Sequence, residues 1–157
     1  PRVVTVSSLA QYMGRLKFAN LNAEKGYQRW LFYGHSKLAN LVFARELDRR
    51  LREQGSRIQS FAVHPGYSST NLQAGTIFTR TNSFLAQPQR MGAYPSLYAA
   101  TSDEVERGHF YGPNGLFGAA GYPARARTRP VADNRQVADQ LWKKSEELTG
   151  VAYLDAA

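Results

Sequence analysis

The sequence predicts an α/β fold, with parallel strands in a sheet and helices packed against it. Three observations lead there. Residues 2–6, Arg2-Val3-Val4-Thr5-Val6, are short, β-branched and apolar, the pattern of a strand buried on both faces. Residues 58–63 repeat that character with Phe61, Ala62 and Val63. Between them, residues 27–54 carry apolar side chains at helical spacing without a Pro. A strand, a long helix and a second strand make one βαβ unit, whose strands are parallel and whose connection is right-handed.

Composition bounds the rest. The 157 residues suit one domain with a core of its own. The net charge is +8, but the basic residues are spread from Arg45 to Arg129 and no nucleic-acid motif accompanies them, so no nucleic-acid partner is expected. The chain has 3 His and no Cys, which excludes disulfides and leaves no zinc-ligand spacing, so no metal is expected. No apolar run is long enough to span a bilayer and no secretory pattern is visible, so a cytoplasmic location is expected. The chain opens at Pro1 directly into a strand, which suggests a piece of a longer protein.

Taken in order, Ser7 and Ser8 end the first strand, at the sheet edge where α/β proteins place ligands. Turn chemistry alone accounts for such a pair equally well. Residues 9–26, with Gly14 and Gly26, read as a loop. In the helix at 27–54, Leu38, Leu41 and Val42 supply one apolar stripe and Phe43, Leu47 and Leu51 another. Its second half carries Arg45, Glu46, Asp48, Arg49, Arg50 and Arg52 and is expected to run out into solvent before Gly55 stops it. His64-Pro65-Gly66-Tyr67-Ser68-Ser69-Thr70 closes the second strand. Pro65 cannot donate to a ladder, and Gly66 permits close approach to the backbone.

Residues 66–88 read as a substrate loop holding Leu72, Ile77, Phe78, Phe84 and Leu85. A helix follows at 89–102 and a short strand at 109–111 that turns at Gly112-Pro113. Residues 114–131, rich in Gly, Pro and Arg, are expected to be irregular. A final amphipathic helix at 133–149 presents Val137, Leu141, Trp142 and Leu148, and Gly150 ends it.

The chemistry centres on Tyr33-Gly34-His35-Ser36-Lys37. Residues four apart share a helix face, so Tyr33 and Lys37 point the same way. An ammonium beside a phenol favours the phenolate, which makes the phenol a tuned acid for proton transfer. The spacing alone is common. Gly34-His35-Ser36-Lys37-Leu38 is no nucleophile elbow, since Leu38 stands where Gly is required. His35 and His64 read as ordinary helix and strand-end residues.

The order of motifs adds to this. Val6-Ser7-Ser8, Tyr33-x-x-x-Lys37 with Ser36 before the Lys, and Pro65-Gly66-x-x-x-Thr70 follow one another along the whole chain. In this the chain resembles the C-terminal half of a short-chain dehydrogenase/reductase. The run His35-Ser36-Lys37-Leu38-Ala39-Asn40 and the late Tyr111-Gly112-Pro113 are similar to the retinol-dehydrogenase-like branch.

The resemblance implies the C-terminal part of a Rossmann-type doubly wound sheet, with the N-terminal dinucleotide-binding half missing. It implies an NAD(P)-dependent oxidoreductase that interconverts an alcohol and a carbonyl, with a lipophilic substrate and NADP slightly favoured over NAD. Tyr33 would be the general acid. Lys37 would tune it and hydrogen-bond the nicotinamide ribose, and Ser8 would hold the substrate oxygen. Pro65, Gly66 and Tyr67 would line the nicotinamide, and Thr70 would bond its carboxamide or phosphate.

The sequence departs from that family in one large respect. No G-x-x-x-G-x-G phosphate loop occurs, nor the Asn-Asn-Ala-Gly segment, nor the residue that selects NAD or NADP. Gly112, Gly115, Gly118 and Gly121 are evenly spaced but open no helix. An incomplete enzyme with an open sheet edge is expected, one that associates with itself or with a missing N-terminal half. The alternatives are a catalytically inactive fragment, a basic interaction module, or a basic binder of anionic polymers.

Overall fold

The computed structural model describes residues 1–67 and 87–154. The described residues form a four-stranded sheet in the order β1-β2-β3-β4. The strands are β1 (Arg2–Val6), β2 (Gln59–Val63), β3 (Phe110–Gly115) and β4 (Ala120–Arg125). The helices are α1 (Arg29–Glu53), α2 (Gln89–Thr101) and α3 (Arg135–Thr149). β1 pairs parallel with β2 in a continuous register from Arg2 opposite Gln59 to Val6 opposite Val63. β2 pairs parallel with β3, and β3 pairs antiparallel with β4.

Alternation of side chains along β2 builds the two faces of the core. Ala62 joins Leu38, Leu41 and Val42 of α1, Phe110 of β3, and Ala138 and Leu141 of α3. Its neighbours Phe61 and Val63 point the other way, to Ala99 of α2, Val105 and Tyr111. The sheet is therefore sandwiched, with α1 and α3 on one face and α2 on the other. Leu38, Leu41, Val42, Phe61 and Val63 are fully buried. Each such side chain contributes about 1.5–3 kcal/mol.

Five expectations need correction. The strand expected at 109–111 does not turn at Gly112-Pro113, because both residues pair with β4 and β3 runs on to Gly115. β1 is not buried on both faces: it is the edge strand, and Val3 and Val6 are 40% and 44% exposed because a strand pairs β1 on one side alone among the described residues. Residues 9–26 are not merely loop, since Leu9–Met13 and Phe18–Asn20 form 3-10 turns. The stretch 114–131 is not irregular throughout. It contains β4, and Tyr111–Arg125, Gly112–Ala124 and Pro113–Pro123 face one another across the β3–β4 ladder.

The last correction concerns the second half of α1, which stays largely covered as far as Leu51 and reaches solvent only from Arg52 onward. Glu46 and Asp48 are buried. Glu46 accepts from Arg49 Nε at 2.8 Å and Arg50 Nε at 2.6 Å. Burial pushes the Glu46 carboxyl up, yet those guanidinium bonds outweigh it and hold the group below the usual range. Asp48 accepts from the Ser60 amide at 3.1 Å and from Arg107 Nε at 3.0 Å. Trp142 of α3 covers this end, stacked on Phe43 at 5.4 Å, with the Arg50 guanidinium 4.5 Å from its ring centroid. A charged stretch can be buried when each carboxylate is met by cations and amides.

Candidate active site

Register brings two strand ends together. Because Val6 lies opposite Val63, Ser7-Ser8 and His64-Pro65 leave the sheet side by side at its C-terminal edge. The Ser7 amide continues the ladder to the Val63 carbonyl at 2.7 Å. Helix α1 then crosses this edge. Ser7 is buried, and its hydroxyl donates to the backbone carbonyl of Lys37 at 2.6 Å. The Asn40 carboxamide donates to the Val6 carbonyl at 3.0 Å, and Lys37 Nζ approaches the same oxygen at 3.4 Å.

On α1, Lys37 Nζ lies 5.6 Å from the centroid of the Tyr33 ring, so the two share a face as the spacing requires. Trp30 meets Tyr33 edge-on at 6.3 Å. Ser36, the residue before the Lys, is turned back onto the helix and donates to the Tyr33 carbonyl at 2.8 Å. A cavity of about 320 Å³ opens here, lined by Tyr27, Arg29, Trp30, Phe32, Tyr33 and Ser36. Among the described site residues expected from the sequence, Tyr33 is the one that lines it.

Ser8 caps the 3-10 turn Leu9–Met13. Its Oγ accepts the Ala10 amide at 3.1 Å, which uses a lone pair and leaves the hydroxyl proton available to donate. Two glycines bring this turn onto α1. A β-carbon on Gly34, beside Tyr33, would lie 2.8 Å from the Ala10 carbonyl oxygen. The Ser8 segment thus sits against the backbone of the helix that carries Tyr33.

The Pro65-Gly66-Tyr67 turn is fixed from behind. Gly66 has φ +72°, and a β-carbon there would lie 2.4 Å from the Ala119 carbonyl oxygen. The Tyr67 amide donates to that same carbonyl at 2.7 Å. The Gly66 amide donates to His64 Nδ1 at 3.2 Å. His64 is buried, its ring lies on Gly112, and burial pushes its pKa down to about 4, so the neutral ring accepts. Buried Gln87 donates to the Pro65 carbonyl at 2.8 Å and accepts the Gly121 amide at 3.2 Å. Thr70 lies outside the described residues, as does most of the expected substrate loop.

Several of these residues escaped the sequence reading. His64 is more than a strand-end residue, because it orders the turn that follows it. Gln87 and Ala119 act through contacts across long stretches of chain, for which no local signal exists. Asn40 stood in the motif, but its partner Val6 is 34 residues away.

The donor set suits part of a nicotinamide cofactor. Among the described residues Lys37 Nζ makes one long hydrogen bond, to Val6, and the Ser8 hydroxyl proton is uncommitted, so donors remain for ribose and substrate oxygens. The sequence carries no G-x-x-x-G-x-G loop to cradle the pyrophosphate. Among the described residues no group of three or more His, Asp or Glu is placed to hold a metal, and no helix is long and apolar enough to cross a membrane.

No family model matches the sequence. Individual proteins do. Retinol dehydrogenase 12 of Homo sapiens is 35% identical over 158 residues, which cover 97% of this chain and 46% of that protein. Human retinol dehydrogenase 11 is 38% identical over 157 residues, covering 96% and 46%. Retinol dehydrogenase 14 of Mus musculus is 34% identical, covering 96% and 45%. A crystal structure of an uncharacterized protein from Mycobacterium paratuberculosis superimposes with a TM-score of 0.79 at 40% identity, over 97% of this chain and 51% of that one. The chain thus spans about half the length of the relatives it matches. In sequence and in fold the chain is similar to the C-terminal part of retinol dehydrogenases of the short-chain dehydrogenase/reductase type.

Proposed function

We propose that this chain carries the acid/base and nicotinamide side of an NAD(P)-dependent oxidoreductase acting on a lipophilic alcohol or carbonyl. The observation that carries the reading is Tyr33 and Lys37 on one face of α1, locked to the strand end that bears Ser8. The cofactor, when bound, supplies or accepts the hydride. Tyr33 gives its phenolic proton to the carbonyl oxygen in reduction and takes it back in oxidation. Ser8 keeps its proton and hydrogen-bonds the same oxygen through its hydroxyl as charge develops there. Lys37 offers its remaining N–H bonds to the ribose. Pro65, Gly66 and Tyr67 form the wall against which the nicotinamide rests, and Thr70 would bond its carboxamide or phosphate.

The aromatic cavity beside Tyr33 and the names of the matching proteins both favour a lipophilic, retinoid-like substrate. The phosphate-binding part of the cofactor site would come from outside residues 1–157, and the open edge of β1 is where further strands would join. NADP is the favoured cofactor on the branch resemblance. A second reading, an inactive interaction module, is favoured by that same open edge with Val3 and Val6 exposed.

The test is titration of the folded chain with NADPH and NADH, followed by Trp30 and Trp142 emission. Saturable binding, with Tyr33→Phe cutting alcohol turnover by about 10²–10⁴-fold, supports the enzyme. Turnover in Tyr33→Phe near that of the parent removes Tyr33 as the acid. No binding to the folded chain favours the second reading.

A further inference from the structure

The Val6 carbonyl has an unusual position. The Ser7 amide donates to Val63 and the Pro1 carbonyl accepts from Gln59, so the odd-numbered residues of β1 face β2. Backbone groups alternate along a strand, so the Val6 carbonyl points to the open edge, away from the ladder. It is met there from α1 by two nitrogens, Asn40 Nδ2 at 3.0 Å and Lys37 Nζ at 3.4 Å. The first distance is that of an ordinary hydrogen bond and the second is long.

We propose that Asn40 is a positioning residue for Lys37. Its carboxamide takes the Val6 carbonyl, so the Lys37 ammonium is held near that oxygen but not consumed by it. Ser7 fixes the other end of the same residue by donating to the Lys37 backbone carbonyl at 2.6 Å. Main chain and side chain of Lys37 are thereby referenced to one strand end, the end that also carries Ser8. Without the Asn40 donor, the ammonium is left as the one donor to the Val6 carbonyl among the described residues and withdraws from the ligand side.

The link to cofactor binding rests on the function proposed above, but the placement of Lys37 does not, and it is tested without turnover. The intact chain is trace-labelled with acetic anhydride, and acylation at each lysine is read by mass spectrometry. Lys17, Lys143 and Lys144 serve as internal references. In Asn40→Leu and Asn40→Ala, Lys37 is expected to react about fivefold more slowly, the factor that one hydrogen bond of ordinary strength represents, with the references unchanged. Asn40→Gln, which restores a carboxamide, is expected to recover most of the rate. Lys37 labelling unchanged in either folded variant overturns the proposal, whatever the outcome for Tyr33→Phe. If one variant fails to fold, the other decides.

Discussion

Gly14 and Gly34 are in backbone contact: a β-carbon on Gly14 would lie 2.4 Å from the Gly34 carbonyl oxygen. The same β-carbon would lie 2.7 Å from Leu38 Cβ, so neither neighbour is a flexible side-chain end that moves cheaply. This contact seats the Ser8–Met13 segment on α1 one residue from Tyr33. Gly14→Ala is expected to lower stability by about 1–3 kcal/mol, measured by urea unfolding. It is also expected to shift Ser8 relative to Tyr33, so any turnover falls further than stability explains. An unchanged midpoint in urea would show that the segment is not seated here.

His64 ties stability to pH. Its pKa is about 4 in the folded chain, below the ordinary value of 6.5. The unfolded chain therefore binds more protons between those values, so stability is full above about 6.5 and falls as pH drops toward 4. The upper bound of this loss is about 3 kcal/mol. His35 is shifted the same way by burial and by Lys17 and Arg15. Urea unfolding at pH 4.8 and pH 7 measures the slope. His64→Asn, which keeps an acceptor for the Gly66 amide but does not titrate, is expected to flatten most of it. Glu46 acts elsewhere: its stabilisation is present above its unfolded value of 4.5 and is lost only below that.

Asp48 joins α1 to β2 and to Arg107. It is fully buried, so Asp48→Ala leaves the Ser60 amide without its acceptor and Arg107 with the Ile58 carbonyl in place of a carboxylate. The expected cost is about 1–3 kcal/mol. Asp48→Asn keeps an acceptor and is expected to cost less. Equal losses in chemical denaturation would mean that charge, not acceptance, is what Asp48 supplies.

Gln87 bridges the Pro65 carbonyl and the Gly121 amide. Gln87→Ala removes both bonds in a buried place, at about 1–3 kcal/mol. Because Pro65 and Gly66 are the proposed nicotinamide wall, weaker cofactor binding is expected alongside the lost stability. Loss of stability with cofactor affinity unchanged would separate Gln87 from the site.

The sequence alone determined what short-range rules control. A β-branched run marked β1, the apolar Phe61-Ala62-Val63 marked β2, apolar spacing marked α1, and the helical repeat placed Tyr33 and Lys37 on one face, because each is set within a few residues by backbone geometry. The order of Ser8, Tyr33, Lys37, Pro65 and Gly66 then pointed to the family. Only the tertiary structure decided the rest. Gly121 and Pro123 argue locally against a strand, yet β4 forms because β3 offers it an antiparallel partner. Glu46 and Asp48 read as solvent-facing charges, yet Arg49, Arg50 and Arg107 let them be buried. His64, Gln87 and Asn40 acquire their roles from Gly66, Pro65 and Val6 through hydrogen bonds that exist only once the chain has folded. Such contacts join groups distant in sequence, and local pattern carries no information about them.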